Sequence, residues 1–251
     1  MFDAAANCRP ENSPLNAPPH RIGPTYPRLA KAVFEITRSI SGRLMTKAGF
    51  HRIDSDFARA TLASIRRRLN DGETIYIAGL TPSGTHNTGV ALIEVTMAHG
   101  PRLILNNEEE RFSGNKHTTE FPHRSLDAMA ATLRGIGRDV GDIAAFVTTW
   151  DYPTLFGTML RTAVEEAPGS LKLLALSNAV GVDRRRLDQM RRTPRILARQ
   201  FKLTKPVPLI CMPHHLNHAW FPFAASPFPE SDEPIAIGVF DGTGDRGSIS
   251  T

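Results

Sequence analysis

The chain has 251 residues, 41% hydrophobic and 22% charged, with a formal net charge of +5. That is an ordinary globular composition, long enough for one large domain or two modest ones. No apolar run approaches a membrane span, and the first twenty residues lack the charged start and apolar core of a secretory signal. The two cysteines, Cys8 and Cys211, make no disulfide framework and fit a reducing compartment, so the expected location is cytoplasmic.

Charge is unevenly spread. Residues 1–70 carry 12 Lys/Arg against 5 Asp/Glu, whereas residues 71–251 carry 18 against 20. The basicity therefore belongs to the N-terminal part. Residues 1–28 hold six prolines and little apolar periodicity, and read as disordered or loosely attached. Residues 29–70 read as helical. Leu29, Val33, Phe34 and Ile40 share one face, and Phe57, Leu62, Ile65 and Leu69 share another. Residues 1–70 are accordingly expected to be an extension, and residues 71–251 the main domain.

From residue 74 the pattern changes. "TIYIAGL" predicts a buried strand, "TPSGTHNTG" a polar turn, "VALIEVT" a second strand, and "RLILNNEEERF" contains a third. "HRSLDAMAATLRGIG" sets Leu126, Met129, Ala130, Leu133 and Ile136 at helical spacing. "IAAFVTTW" predicts another strand, and residues 153–202 read as mostly helical with breaks near Pro168-Gly169 and Gly181. Within them "DRRRLDQMRRTPR" is strongly basic. A basic helix can hold phosphates, but no aromatic residues interleave to stack on bases, so a solvated helix face is the expectation and nucleic acid is not the expected partner. "VPLIC" predicts a strand, and the His-rich stretch after it opens a helix. "PIAIGVF" predicts a last strand, followed by the Gly/Thr-rich turn "DGTGDRG".

Two segments repeat one plan: "IYIAGL-TPSGTHNTG-VALI" and "IAIGVF-DGTGDRG-SIST" are each strand, polar turn, strand. Such turns expose N–H groups and hydroxyls able to hold phosphate oxygens. Two of them separated by helices follow the logic of a duplicated ATPase fold with nucleotide between its halves. Two ordinary hairpins are the plainer alternative.

The densest chemistry lies in "CMPHHLNHAWFPF", which holds three of the nine histidines. On a helix His214 and His218 stand on one face one turn apart and can grip one ion. His215 points about 100° away and is expected not to be a ligand. Asp241, at the end of the predicted last strand, offers a carboxylate; capping a turn is its plainer role. Two imidazoles and a carboxylate suit iron, manganese or zinc. The Glu108–Arg111 run is expected to be a solvated strand end. Lys116, His117 and His86 are candidates for phosphate contact.

Taken in order, five segments resemble the NodU/CmcH-type O-carbamoyltransferase family. They are "THN" in the first turn, "EEERFSGNKHTTEFP", the strand ending in "WDYP", "HHLNHAW" for the family's HHLAHA signature, and "VFDGTGD". They span residues 75–251. The resemblance implies an α/β, actin-like ATPase (ribonuclease H-like, duplicated) fold, here its first half and the start of its second. It implies transfer of a carbamoyl group from carbamoyl phosphate, through an ATP-derived carbamoyl-adenylate, to a hydroxyl of a small-molecule or sugar acceptor. It further implies a divalent metal, iron above others, held by His214, His218 and Asp241. His86 and Lys116 would be catalytic, and Gly242, Thr243 and Gly244 would hold nucleotide or donor phosphate.

Two departures are plain. Asn87 stands where the family has an aspartate, so no carboxylate base is available there, and Asn217 replaces an alanine, with little effect expected. The chain stops inside the second repeat, and the expectation is that it is incompetent alone and works with a separate C-terminal half or as a homo-oligomer. A nonenzymatic remnant or binding subunit that keeps nucleotide or metal affinity is the alternative.

Overall fold

The computed structural model describes residues 39, 42–82, 87–157, 184–228, 233–239 and 241. The expectations for residues 1–38, for the breaks at Pro168-Gly169 and Gly181, for His86 and for Gly242, Thr243 and Gly244 lie outside the described residues. Among the described residues, no helix is long and apolar enough to cross a membrane.

The architecture is a mixed six-stranded sheet with helices on both faces. In chain order the elements are β1 (Phe50–Arg52), α1 (Asp56–Asn70), β2 (Ile75–Thr81), β3 (Gly89–Thr96), β4 (Gly100–Glu108), α2 (Glu110–Ser113), α3 (His123–Gly135), β5 (Ile143–Thr148), α4 (Arg184–Gln200), β6 (Leu209–Cys211) and α5 (His214–Ala224). The strands lie side by side as β1-β6-β5-β2-β3-β4. β2, β3 and β4 form an antiparallel meander. β5 joins the other side of β2 in parallel, and β6 and β1 follow in parallel.

Alternation along the strands sorts side chains onto two faces. Tyr76, Ala78 and Leu80 of β2, Phe146 of β5 and Leu209 and Cys211 of β6 enter the larger core, with Leu126, Met129 and Leu133 of α3 and Leu197 of α4. Ile75, Ala145 and Ile210 face the other way, against Ala58 and Ile65 of α1. The expected inner face of α3 is met at four positions; Ile136 is half-exposed because the helix has already ended at Gly135. In α4, Arg191, Arg192, Arg195 and Arg199 are exposed while Thr193, Leu197 and Ala198 are buried, which is the pattern of a solvated basic face.

Three expectations need correction. The boundary placed after residue 70 falls inside one packed unit. β1 is a strand of the same sheet, Phe50 is fully buried in its main core, and Met45 joins that core. Gly49 makes the close entry possible: its φ is +105°, and a Cβ there would lie 3.1 Å from Pro194 of α4. In α1 the inner residues are Ala58, Ile65 and Leu69, whereas Phe57 and Leu62 are 38% and 46% exposed. The small Ala58 lets the helix approach the sheet, and Phe57 stacks instead on His51, with ring centroids 4.0 Å apart. Finally, the strand expected over 234–240 is not formed in its described part: residues 234–239 carry no strand and Ile237 is exposed. An apolar run becomes a strand only with a ladder partner, and these residues pair with none of the six strands.

Candidate metal centre

The site grows from one edge of the sheet. β1, β2, β5 and β6 are parallel, so Arg52, Thr81, Thr148 and Cys211 end together. The antiparallel neighbours bring Gly89, which starts β3, and Glu108, which ends β4, to that same edge. Carboxyl ends of strands in open α/β sheets are where ligand sites are built, because loops and helix N-termini converge there.

The β6–α5 junction supplies the histidines. Met212 N–H donates to the Thr148 carbonyl (3.2 Å), pinning the exit of β6 to that of β5. Pro213 precedes the helix, and its fixed φ of −56° suits an entry into helical backbone. His214 Nδ1 lies 3.2 Å from the Thr149 carbonyl oxygen. A carbonyl only accepts, so Nδ1 carries the proton and Nε2 is left as a lone pair. The Trp150 indole stacks on the same imidazole at 3.7 Å and 11°. The His214 ring is thus held along its edge and across its face.

Around Nε2 of His214 three donor atoms converge. His214 Nε2 and His218 Nε2 are 3.1 Å apart. Asp241 Oδ2 lies 3.1 Å from the first and 3.4 Å from the second. Donors bound at about 2.0–2.2 Å to one ion stand roughly 3.0–3.5 Å from one another, so this triplet fits a single metal ion. All donors lie within 4.8 Å of one another. The set of two imidazoles and one carboxylate is that of non-haem iron, manganese or catalytic zinc, with positions left for substrate.

Two further residues meet at this site. Asn217 donates through Nδ2 to the Thr149 carbonyl at 3.0 Å, the same oxygen that takes His214 Nδ1. It therefore braces the carbonyl that orients a ligand, which alanine could not do. His215, expected to point away, comes within 3.6 Å of Asp241 Oδ2.

The neighbouring edge gathers the other motifs. Asn87 and His117, thirty residues apart, meet side chain to side chain, Asn87 Oδ1 being 2.9 Å from His117 Nδ1. Both have left-handed backbones, at φ 59° and 54°. Glu110 Oε2 accepts the His117 N–H at 2.9 Å, and Thr88 N–H donates to the Thr118 carbonyl at 3.3 Å. Asn87 makes this contact with its amide oxygen. Lys116 is exposed on the turn beside His117.

The acidic run is not a solvated strand end throughout. Glu109 is 5% exposed. Its carboxylate accepts from Arg124 N (3.1 Å), Ser125 N (2.8 Å) and Ser125 Oγ (2.8 Å), capping the N-terminus of α3. Its own N–H donates to the Thr88 carbonyl at 2.9 Å. Asp151 likewise is buried. It caps the helical turn at 152–157 through Thr154 N (3.2 Å) and Thr154 Oγ1 (2.7 Å), and lies 3.4 Å from Arg52 Nε.

Against this geometry, no protein-family model matches the chain, and no curated protein sequence matches it significantly.

Proposed function

We propose that the chain is the metal-bearing part of an O-carbamoyltransferase of actin-like fold, moving a carbamoyl group from carbamoyl phosphate, by way of a carbamoyl-adenylate made with ATP, to a hydroxyl of a small acceptor. The observation that carries the reading is the triplet His214, His218 and Asp241 at the carboxyl edge of a mixed sheet, beside the end of β2. The five ordered sequence motifs supply the reaction class. The strand order supports the finer fold: an antiparallel meander continued by parallel strands suits one lobe of a two-lobed nucleotide-binding domain.

A bound ion would polarise a carbonyl or phosphoryl oxygen of the donor. The chain's own residues do the rest. Thr149, Asn217 and Trp150 hold His214 in one tautomer and one plane. The polar Gly/Ser/Thr sequence that follows β2 is of the kind that holds phosphate oxygens. Lys116 brings a basic group to the same edge, where negative charge would develop on the donor. The acceptor hydroxyl must lose a proton, and His117, whose Nδ1 donates to Asn87 Oδ1, keeps its Nε2 lone pair as the base to take it.

The test is binding first and turnover second. The purified chain is dialysed against Fe(II), Mn(II) and Zn(II), and carbamoyl-phosphate-dependent pyrophosphate release from ATP is followed in it and in a form extended through any downstream coding sequence. About one ion per chain, lost in His218→Ala, with turnover in the extended form, is the expected result. No ion bound overturns the metal centre. An ion bound without turnover in either form overturns the transferase and leaves a metal-binding subunit.

A further inference from the structure

His215 reaches the candidate centre without belonging to its triplet. Its Nε2 lies 3.6 Å from Asp241 Oδ2, the oxygen that His214 and His218 also approach. The His215 side chain is 19% exposed and that of His218 50% exposed. A bystander imidazole on a surface helix turns to water, and this one is tucked against a carboxylate more deeply than a ligand candidate is. The angular spacing of the helix explains the approach. If His214 is set at 0°, His218 stands near 40° and His215 near 100°, so His215 comes from the flank. Its ring centroid is 6.1 Å from that of His214, against 4.5 Å for the His214–His218 pair.

The chemistry of the donors assigns the role. An imidazole that ligates through Nε2 presents a lone pair there and has no proton to give to a neighbouring oxygen. His214 spends its Nδ1 proton on Thr149. Once His214 and His218 face an ion, neither can hydrogen-bond Asp241 through Nε2. A carboxylate has about four acceptor positions and an ion takes one or two. Ligating carboxylates are themselves hydrogen-bonded in well-ordered centres. His215, outside the ligand triplet, can present an Nε2–H to this carboxylate. The present 3.6 Å is longer than a hydrogen bond, so the bond forms only if the two groups draw closer when an ion binds.

We infer that His215 is the positioning residue of the metal centre, donating Nε2–H to the Asp241 carboxylate and fixing its orientation toward the ion. The inference rests on the metal-centre reading above. It adds a residue outside the ligand set, and it makes the doubled histidine functional.

Co(II) serves as the probe, because its visible bands report coordination. The wild-type chain, His215→Ala, His215→Gln and His218→Ala are titrated, with far-ultraviolet circular dichroism to verify folding. In His215→Ala the affinity falls about 10- to 100-fold, the range for outer partners of a metal ligand, with band positions unchanged. His215→Gln, whose amide N–H replaces Nε2–H, recovers most of the affinity. His218→Ala loses more affinity and shifts the bands. Unchanged affinity in His215→Ala overturns the inference while leaving the centre intact. Bands altered as in His218→Ala also overturn it, by making His215 a ligand. A wild-type chain that takes up no Co(II) overturns the metal centre itself, and the inference with it.

Discussion

Replacing Glu109 by alanine is expected to destabilise the fold by about 3 kcal/mol. The carboxylate is 5% exposed and takes two backbone N–H groups and one hydroxyl at 2.8–3.1 Å. A hydrogen bond to a charged group contributes about 1.5–3 kcal/mol, and loss of a helix cap costs about 1 kcal/mol. These terms overlap, since they concern the same N–H groups, so they do not simply add. Ser125 is fully buried, so its N–H and hydroxyl would be left without water to replace the lost acceptor. With a urea slope of about 2–3 kcal/mol/M for a chain of this size, the midpoint should drop by about 1–1.5 M. Glu109→Gln keeps one acceptor oxygen but turns an NH₂ toward a donor, and should lose roughly half as much. Hydrogen exchange should quicken at Arg124 and Ser125 in both variants. A loss below about 1 kcal/mol in Glu109→Ala, with exchange unchanged, would refute the capping argument.

Three further outcomes are expected. Gly89→Ala puts a Cβ 2.5 Å from the Asn107 carbonyl oxygen and 3.2 Å from Glu108 Cα, both backbone, so the hairpin must shift; thermal unfolding should show a loss of about 1–3 kcal/mol. Asn217→Ala removes the second donor to the Thr149 carbonyl and should weaken Co(II) binding about tenfold while leaving the unfolding midpoint nearly unchanged, by the reasoning that applies to outer partners of a ligand. Glu94 gives a pH signature. Arg102, donating from Nε and a terminal nitrogen at 3.1 and 2.7 Å, holds the Glu94 carboxyl below its ordinary value of 4.5, with Tyr76 assisting. A depressed folded-state value means that this contribution is full above pH 4.5 and fades as pH falls through the depressed value. Urea midpoints compared at pH 7 and pH 3.5 should therefore converge when Glu94→Gln is set against the wild type; a constant difference would contradict the linkage.

The strands β2, β3 and β5 were legible as short apolar runs bounded by turn residues, and the helix α3 because its apolar residues repeat with the helical period. In the helix that begins at His214, i, i+4 spacing alone brings two imidazoles to one face. The strand order beyond the hairpin was not, and neither was the inclusion of β1. Three residues, Phe50–Arg52, are too short for any period to register. They become a strand because β6 offers a parallel edge and Phe50 fills the core. The error over 234–239 is the converse: an apolar run was present, and among the described residues no strand pairs with it.

What the sequence determined by itself was the supply of chemistry: a pair of histidines one helical turn apart, a carboxylate far downstream, and Gly/Thr-rich segments after apolar runs. Tertiary structure decided which groups meet. It brought Asp241 within 3.4 Å of both imidazoles and His215 to the flank of the same carboxylate, and it set Asn217 on the carbonyl that orients His214. It also buried Glu109 at a helix start while its neighbours stayed at the surface. The physical reason is range. Periodicity is written in neighbours three or four apart, whereas a site closes through contacts across 15 to 68 residues, and only the packed sheet fixes those separations.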